Sequence, residues 1–261
     1  MTEWTSRDDR QRAARAEFEH IMTTPGPDPS GAYIDAGVIG FVFGEMWRRG
    51  VLSARDRRLI TLSCVGAAGA VTPVETHVWA ALSSGDLTFE EFDEFVLHFA
   101  TQVGWPKGSL LNMHGMMAMN RLCEQRGESR RAVKFEPWAD PAADDVRRVR
   151  GVEAYRQVHG GKDPEPAATA FRGRAYLDYL YGEIWTRQSH LTRRDRRIIS
   201  ICCSAAVGVD EETLEHLGAA LDTGELGFDE LQELVLHYAV YLGWPLGRRL
   251  DDLLVRQRME S

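Results

Sequence analysis

Cysteine is scarce in this 261-residue chain, and the four present (Cys64, Cys123, Cys202 and Cys203) form no C-x-x-C and no spacing with histidine that would hold zinc. Cys64 and Cys203 stand inside apolar helical runs, where a thiol serves as a small hydrophobic side chain. No metal and no cofactor is expected. The chain also lacks an apolar run of the roughly 18 residues that a membrane span needs. Its first residues, MTEWTSRDDRQRAARAEFEH, have the pattern of a charged helix without an apolar signal core, so a cytoplasmic location and no membrane partner are expected. Long basic runs are missing, and the net charge is −8. Phosphate backbones are bound by clustered Lys and Arg, so nucleic acid is not an expected partner. No segment shows a convincing strand pattern.

What the chain does have is a duplication. The stretch DRRLITLSCVGAAG returns as DRRIISICCSAAVG, and the correspondence continues at a constant offset of 139, taking His77 to His216, His98 to His237 and Trp105 to Trp244. From Ser53 to Gly108, 25 of 56 aligned positions are identical. With 44% hydrophobic residues the chain can bury the core of two such units. The expected division is a first domain over 1–126, a polar, Pro-bearing linker over 127–145 and a second domain over 146–261.

Periodicity is helical nearly throughout. In FEEFDEFVLHFATQV, Phe92, Phe95, Val96, Phe99 and Val103 recur three and four apart and share one face. Thr88 with Glu91 three residues on predicts a capping box at the start, and Gly104 with Pro106 predicts the stop, as Gly243 and Pro245 do in the second copy. Each unit opens with its own leader helix, so the fold class is all-α.

The ordered motifs G-E-x-W (Gly44 to Trp47, Gly182 to Trp185), L-[ST]-x-R-D-R-R, H-x-x-A-A-L-x-x-G and L-H-[FY]-A-x-x-x-G-W-P occur in both halves. Together they resemble the carboxymuconolactone decarboxylase family, which also contains the peroxidase-partner disulfide reductases of the alkyl hydroperoxidase D-like fold. The resemblance covers about Phe43 to Gly108 and Tyr181 to Gly247. It implies two tandem helical domains of that family. The reductase branch carries cysteines seven and four residues before the helix histidine; Ala70 and Pro73, then Val209 and Glu212, hold those places here. Thiol–disulfide exchange needs an attacking thiolate and its partner there, so that activity is not expected. Similarity to the decarboxylase branch places Glu45 and Glu183, Arg57 and Arg196, and His77 and His216 at its Glu, Arg and His positions. Copy two also keeps an acid, Glu212, four residues before its histidine, where copy one has Pro73, and on that ground copy two is the more complete.

Decarboxylation without a cofactor leaves a carbanion or enolate, so the site must hold an acid, stabilise developing negative charge and deliver a proton to carbon. Arg57 and Arg196, or their neighbours Arg58 and Arg197, are suited to clamp a carboxylate in two-toothed fashion. His77 and His216 are suited to donate the proton near neutral pH, with Glu45 and Glu183 orienting them. The plain alternatives are that the arginines pair with Asp56 and Asp195 and that the histidines are packing residues. His98 and His237 lie four residues after Glu94 and Glu233, a spacing for a tuned base or for a helix-stabilising surface or interface contact. Trp105 and Trp244 offer a flat surface to a substrate or act as packing anchors. The function expected is a cofactor-independent lyase for a small-molecule acid, against a non-catalytic binding or scaffold protein on the same fold.

The resemblance also implies assembly, since single-unit relatives commonly form hexamers built from dimers. A covalent pair can replace one dimer, so the expected homo-oligomer is a trimer in pseudo-sixfold arrangement. Light scattering on the purified chain should return three times the 29.4 kDa chain mass; a monodisperse monomer would remove the idea.

Overall fold

The computed structural model describes residues 6–129, 136–137 and 143–260. These form helices and no strand. The proposed linker at 127–145 lies largely outside the described residues. The first half runs α1 (Arg7–Met22), a wide helix (Tyr33–Met46), α2 (Ala54–Ala68), α3 (Val71–Ser84), α4 (Phe89–Val103) and α5 (Trp105–Arg126). The second repeats the order with α6 (Asp144–Val158), a wide helix (Phe171–Ile184), α7 (Arg193–Val207), α8 (Asp210–Asp222), α9 (Phe228–Leu242) and α10 (Trp244–Glu260).

Local chemistry explains most boundaries. Ser53 and Thr192 cap α2 and α7 in reciprocal boxes with Asp56 and Asp195, and Thr88 with Glu91 does so for α4. Gly69 and Gly208 end α2 and α7 with φ of 66° and 79°, a left-handed conformation that favours glycine. The two wide helices are π-helices, closed by i to i−5 bonds such as Trp47 N–H to Val42 O at 3.0 Å. Here lies the reason for the glycine of G-E-x-W: a Cβ on Gly44 would stand 2.8 Å from the Ala14 Cβ and 2.9 Å from the Ile39 carbonyl oxygen. Only a bare Cα lets the wide helix lie this close to α1.

The halves are not beads on a string. One apolar cluster runs from Leu52, Leu59 and Phe95 through Ile198, Ile201 and Leu234 to Leu254, with α2 packed on α7 at its centre. Helix α2 also packs on α9, and α7 on α4, so each half reaches the fourth helix of the other. All four cysteines are buried and free. Burial pushes the thiols of Cys202 and Cys203 well up, which makes them inert.

Charged clasps cross the same interface. Arg57 donates to Glu233 Oε2 at 3.0 Å and to His237 Nδ1 at 3.1 Å, while Arg196 donates to Glu94 Oε2 at 2.9 Å and to His98 Nδ1 at 3.3 Å. Arg49 and Arg187 reinforce Glu233 and Glu94. Nearer the surface, Arg55 bridges Asp195 and Glu91, and Arg194 bridges Asp56 and Glu230. Glu94 and Glu233 are therefore buried acids paired with arginines of the opposite half, and His98 and His237 are buried between the halves rather than on a surface. Burial alone would raise the Glu94 carboxyl, but the hydrogen bonds from Arg187 and Arg196 hold it below its ordinary value.

Removing one partner of a buried ion pair strands the other at a cost of about 3–5 kcal/mol. Glu94→Ala should lose stability of that order in urea unfolding; a loss comparable to that of an exposed pair would show that the clasp is solvated.

Candidate functional site

Consecutive arginines on α2 serve different places, because neighbouring helix positions are about 100° apart. Arg57 points across to Glu233 and His237 of the other half, the Arg49 carbonyl of its own half also takes Nη2, and its Nε is sealed away. Arg196 is held in the same way by Glu94, His98 and the Arg187 carbonyl. Neither is free to clamp a substrate, a correction to the expectation from the motif. The expected pairing with Asp56 and Asp195 is also not made: those acids take Arg194 and Arg55.

Arg58 and Arg197 turn toward the helix histidines of their own halves. Arg197 Nη1 donates to His216 Nδ1 at 2.7 Å, Nε pairs with Glu225 and Nη2 reaches the Val158 carbonyl. Arg58 repeats two of these contacts, with Asp86 and the Ile21 carbonyl, and lacks the third. Its Nη1 and His77 Nδ1 are both buried without a partner. Here α9 sets Tyr241 edge-on against His77, with ring centroids 5.2 Å apart. The Tyr241 hydroxyl accepts from Trp47 Nε1 at 2.8 Å. In the second half the place of Tyr241 is held by Gln102, and Trp185 Nε1 is buried and unpaired.

His77 and Tyr241 line a cavity of about 510 Å³ walled by Phe18, Met22, Val38, Val42, Phe43 and Val65, with Trp79, Glu75 and Arg121 also at its edge. At the corresponding places of the second half stand Tyr155, His159, Tyr176 and Tyr181 in place of Phe18, Met22, Val38 and Phe43. These side chains fill the space: His159 bonds Tyr181 at 2.7 Å and stacks at 5.5 Å on His216. What remains is an outer hollow of about 280 Å³ that His216 does not line. Its wall carries Glu211, Glu212 and Glu215, where the first half has Thr72, Pro73 and Thr76. Burial raises the carboxyls of Glu212 and Glu215. The first half holds the open histidine, which reverses the ranking that Glu212 suggested.

The remaining expected site residues lie elsewhere. Glu45 is half exposed and paired with Arg10, away from the cavity. Glu183 pairs with Arg147 at 3.2 Å and lines a separate hollow of about 320 Å³ with Trp105, Glu94 and Arg187. Trp105 and Trp244 are 56% and 63% exposed, too open for packing anchors, and neither lines the His77 cavity. In the stretch MHGMMAMN of α5, Met113, Met116 and Met117 lie at the surface. Among the described residues no group of three or more His, Cys, Asp and Glu side chains is placed to hold a metal, and no helix is long and apolar enough to cross a membrane.

Burial, followed by the nearby Arg58 charge, lowers His77 to about 3. That shift favours the neutral imidazole and speaks against the imidazolium acid expected of His77. His98, His216 and His237 are lowered by burial and by their arginines, and His159 is lowered to about 2 by burial, His216 and Arg197. The unfolded chain binds a proton on each near pH 6.5 and the folded chain does not, so stability present above that pH is lost as pH falls, at about 1.4 kcal/mol per pH unit for each histidine. Urea midpoints should fall steeply between about pH 7 and pH 5.5; a flat profile would mean that the rings are solvated.

Two findings from known proteins bear on this geometry. The model of the carboxymuconolactone decarboxylase family matches residues 34–109 and again 173–251, together more than half of the chain. A 4-carboxymuconolactone decarboxylase of Acinetobacter baylyi is 37% identical over 108 residues, 39% of this chain and 79% of that protein. The chain is accordingly a member of the carboxymuconolactone decarboxylase family that carries the family unit twice.

Proposed function

We propose that the protein is a carbon–carbon lyase that decarboxylates a small cyclic, β-keto or aromatic-derived acid without a cofactor, and that its working site is the His77 cavity of the first half. The observation that carries this reading is the broken contact between Arg58 and His77. In the second half the equivalent contact is made, the histidine is stacked in and acids face the hollow. In the first half the imidazole of His77 lines a largely apolar cavity, and His77 Nδ1 and the buried Arg58 Nη1 are left without partners. Buried polar groups are rarely left unpaired, so these atoms mark a contact still to be closed, which we take as the sign of a site that closes on its ligand.

The roles follow from the chemistry. A bond from Arg58 Nη1 to His77 Nδ1, of the kind that Arg197 makes to His216, leaves the His77 proton on Nε2. A neutral imidazole N–H aimed at the cavity then stabilises the oxygen on which negative charge collects as CO₂ departs, with the Arg58 charge behind it. The apolar walls favour a planar hydrocarbon body and strengthen these interactions by excluding water. The A. baylyi relative, named for a lactone acid, supports the reaction class.

Purified protein, without added cofactor, should release CO₂ from at least one member of a panel of carboxylated lactones and β-keto or aromatic acids. His77→Ala should lower kcat by about 10²–10³-fold, the usual effect of removing one oxyanion donor. His216→Asn, which keeps an acceptor for Arg197, should retain activity. Activity that survives in His77→Ala and vanishes in His216→Asn would place the site in the second half. Tight binding of a panel member without release would mark a binding protein.

A further inference from the structure

Decarboxylation at His77 leaves open where the carbon's proton comes from, since a ring with a pKa near 3 carries no spare proton at neutral pH. The hydrogen-bond directions around Tyr241 answer this. Arginine only donates, so Arg57 Nη1, 3.1 Å from His237 Nδ1, makes that nitrogen an acceptor and puts the ring proton on Nε2. His237 Nε2 then donates to Thr61 Oγ1 at 2.9 Å. The Thr61 hydroxyl stands beside the Tyr241 phenol, where it favours the ionised form of that group. Trp47 Nε1, which also only donates, reaches the phenol oxygen at 2.8 Å. The phenol oxygen therefore already accepts from Trp47, which leaves its own O–H to donate, and a tyrosinate there gains Thr61 as a second donor. Its ring lines the cavity against His77.

We infer that Tyr241, supplied by the second half, is the general acid of the first-half site, and that Arg57, His237 and Thr61 act through it as positioning residues. This rests on the decarboxylase reading above. In the step, the bond between the carboxyl carbon and the substrate breaks, CO₂ leaves and the electron pair stays on the substrate carbon. The Tyr241 O–H bond breaks and its proton goes to that carbon. The tyrosinate is held by Trp47 N–H and Thr61 O–H until water returns the proton, leaving hydroxide that combines with CO₂ as bicarbonate. Burial raises Tyr241 to about 12, which keeps the proton on the phenol at working pH. The second half cannot do this: its relay runs from Arg196 through His98 to Ser200 at 3.0 Å and meets Gln102 where the phenol would be.

The test compares the wild-type chain with Tyr241→Phe and with a ring-fluorinated tyrosine at 241, and takes Tyr238→Phe as control, its buried hydroxyl being unpaired one turn earlier on α9. Tyr241→Phe should lower kcat by about 10²–10⁴-fold while KM and the binding of a non-reacting acid analogue hardly change. Fluorination, which acidifies the phenol and keeps its size and bonds, should move the alkaline limb of kcat to lower pH and carries the test if the Phe variant misfolds. Undiminished kcat in Tyr241→Phe, or an alkaline limb that fluorination leaves in place, overturns the inference alone. A wild-type chain that releases no CO₂ from any acid overturns the decarboxylase reading and this inference with it.

Discussion

The structure depends on the burial of Arg57 and Arg196 with acids of the opposite half. A guanidinium removed from water must find a carboxylate and enough acceptors, or the fold does not bear it. Glu233 and Glu94 satisfy that demand only when the halves are interlocked. The reciprocal clasps thus hold α2 on α9 and α7 on α4, and the apolar cluster between them is continuous across the chain. They also fix His237 and His98 as rings whose proton positions are set by a donor that never reverses. The same interaction therefore joins the halves and orders the polar groups beneath each cavity.

Duplication doubles that scaffold and leaves the cavities free to differ. The first has largely apolar walls, one acid on α3, Glu75, and an unfinished contact between Arg58 and His77. In the second, tyrosines and a histidine fill the space, the contact between Arg197 and His216 is closed, and carboxylates line the rim. The second hollow, with Glu211, Glu212 and Glu215 in its wall, is the more acidic of the two. The pocket in the first half is not built from the first half alone, since Tyr241 and Val240 arrive from α9.

Much of the fold was legible in the residue order. The capping boxes, the glycine stops and the three-four periodicity of α4 and α9 are local, and each depends on side chains a turn apart. Family membership was legible because the motif glycines and histidines recur in order; Gly44 shows why one of them is required. The π-helices were not, because a 3.6-residue and a wider winding leave similar apolar patterns over a short run. Of the residues expected at the site, His77 lines the first-half cavity, while Glu45, Trp105 and Trp244 lie away from it.

By itself the sequence determined the all-α class, the tandem repeat, the missing dithiol and the family, since these are matters of spacing along one chain. It could not say which half holds the open cavity, because Glu212 beside His216 marks completeness on paper and a closed, acidic rim in space. Nor could it separate Arg57 from Arg58, whose partners are chosen by a 100° rotation about α2. Tyr241 lies 164 positions from His77 in the numbering. Only the packing of the halves, driven by burial of the apolar cluster they share, brings its ring to the wall of that cavity.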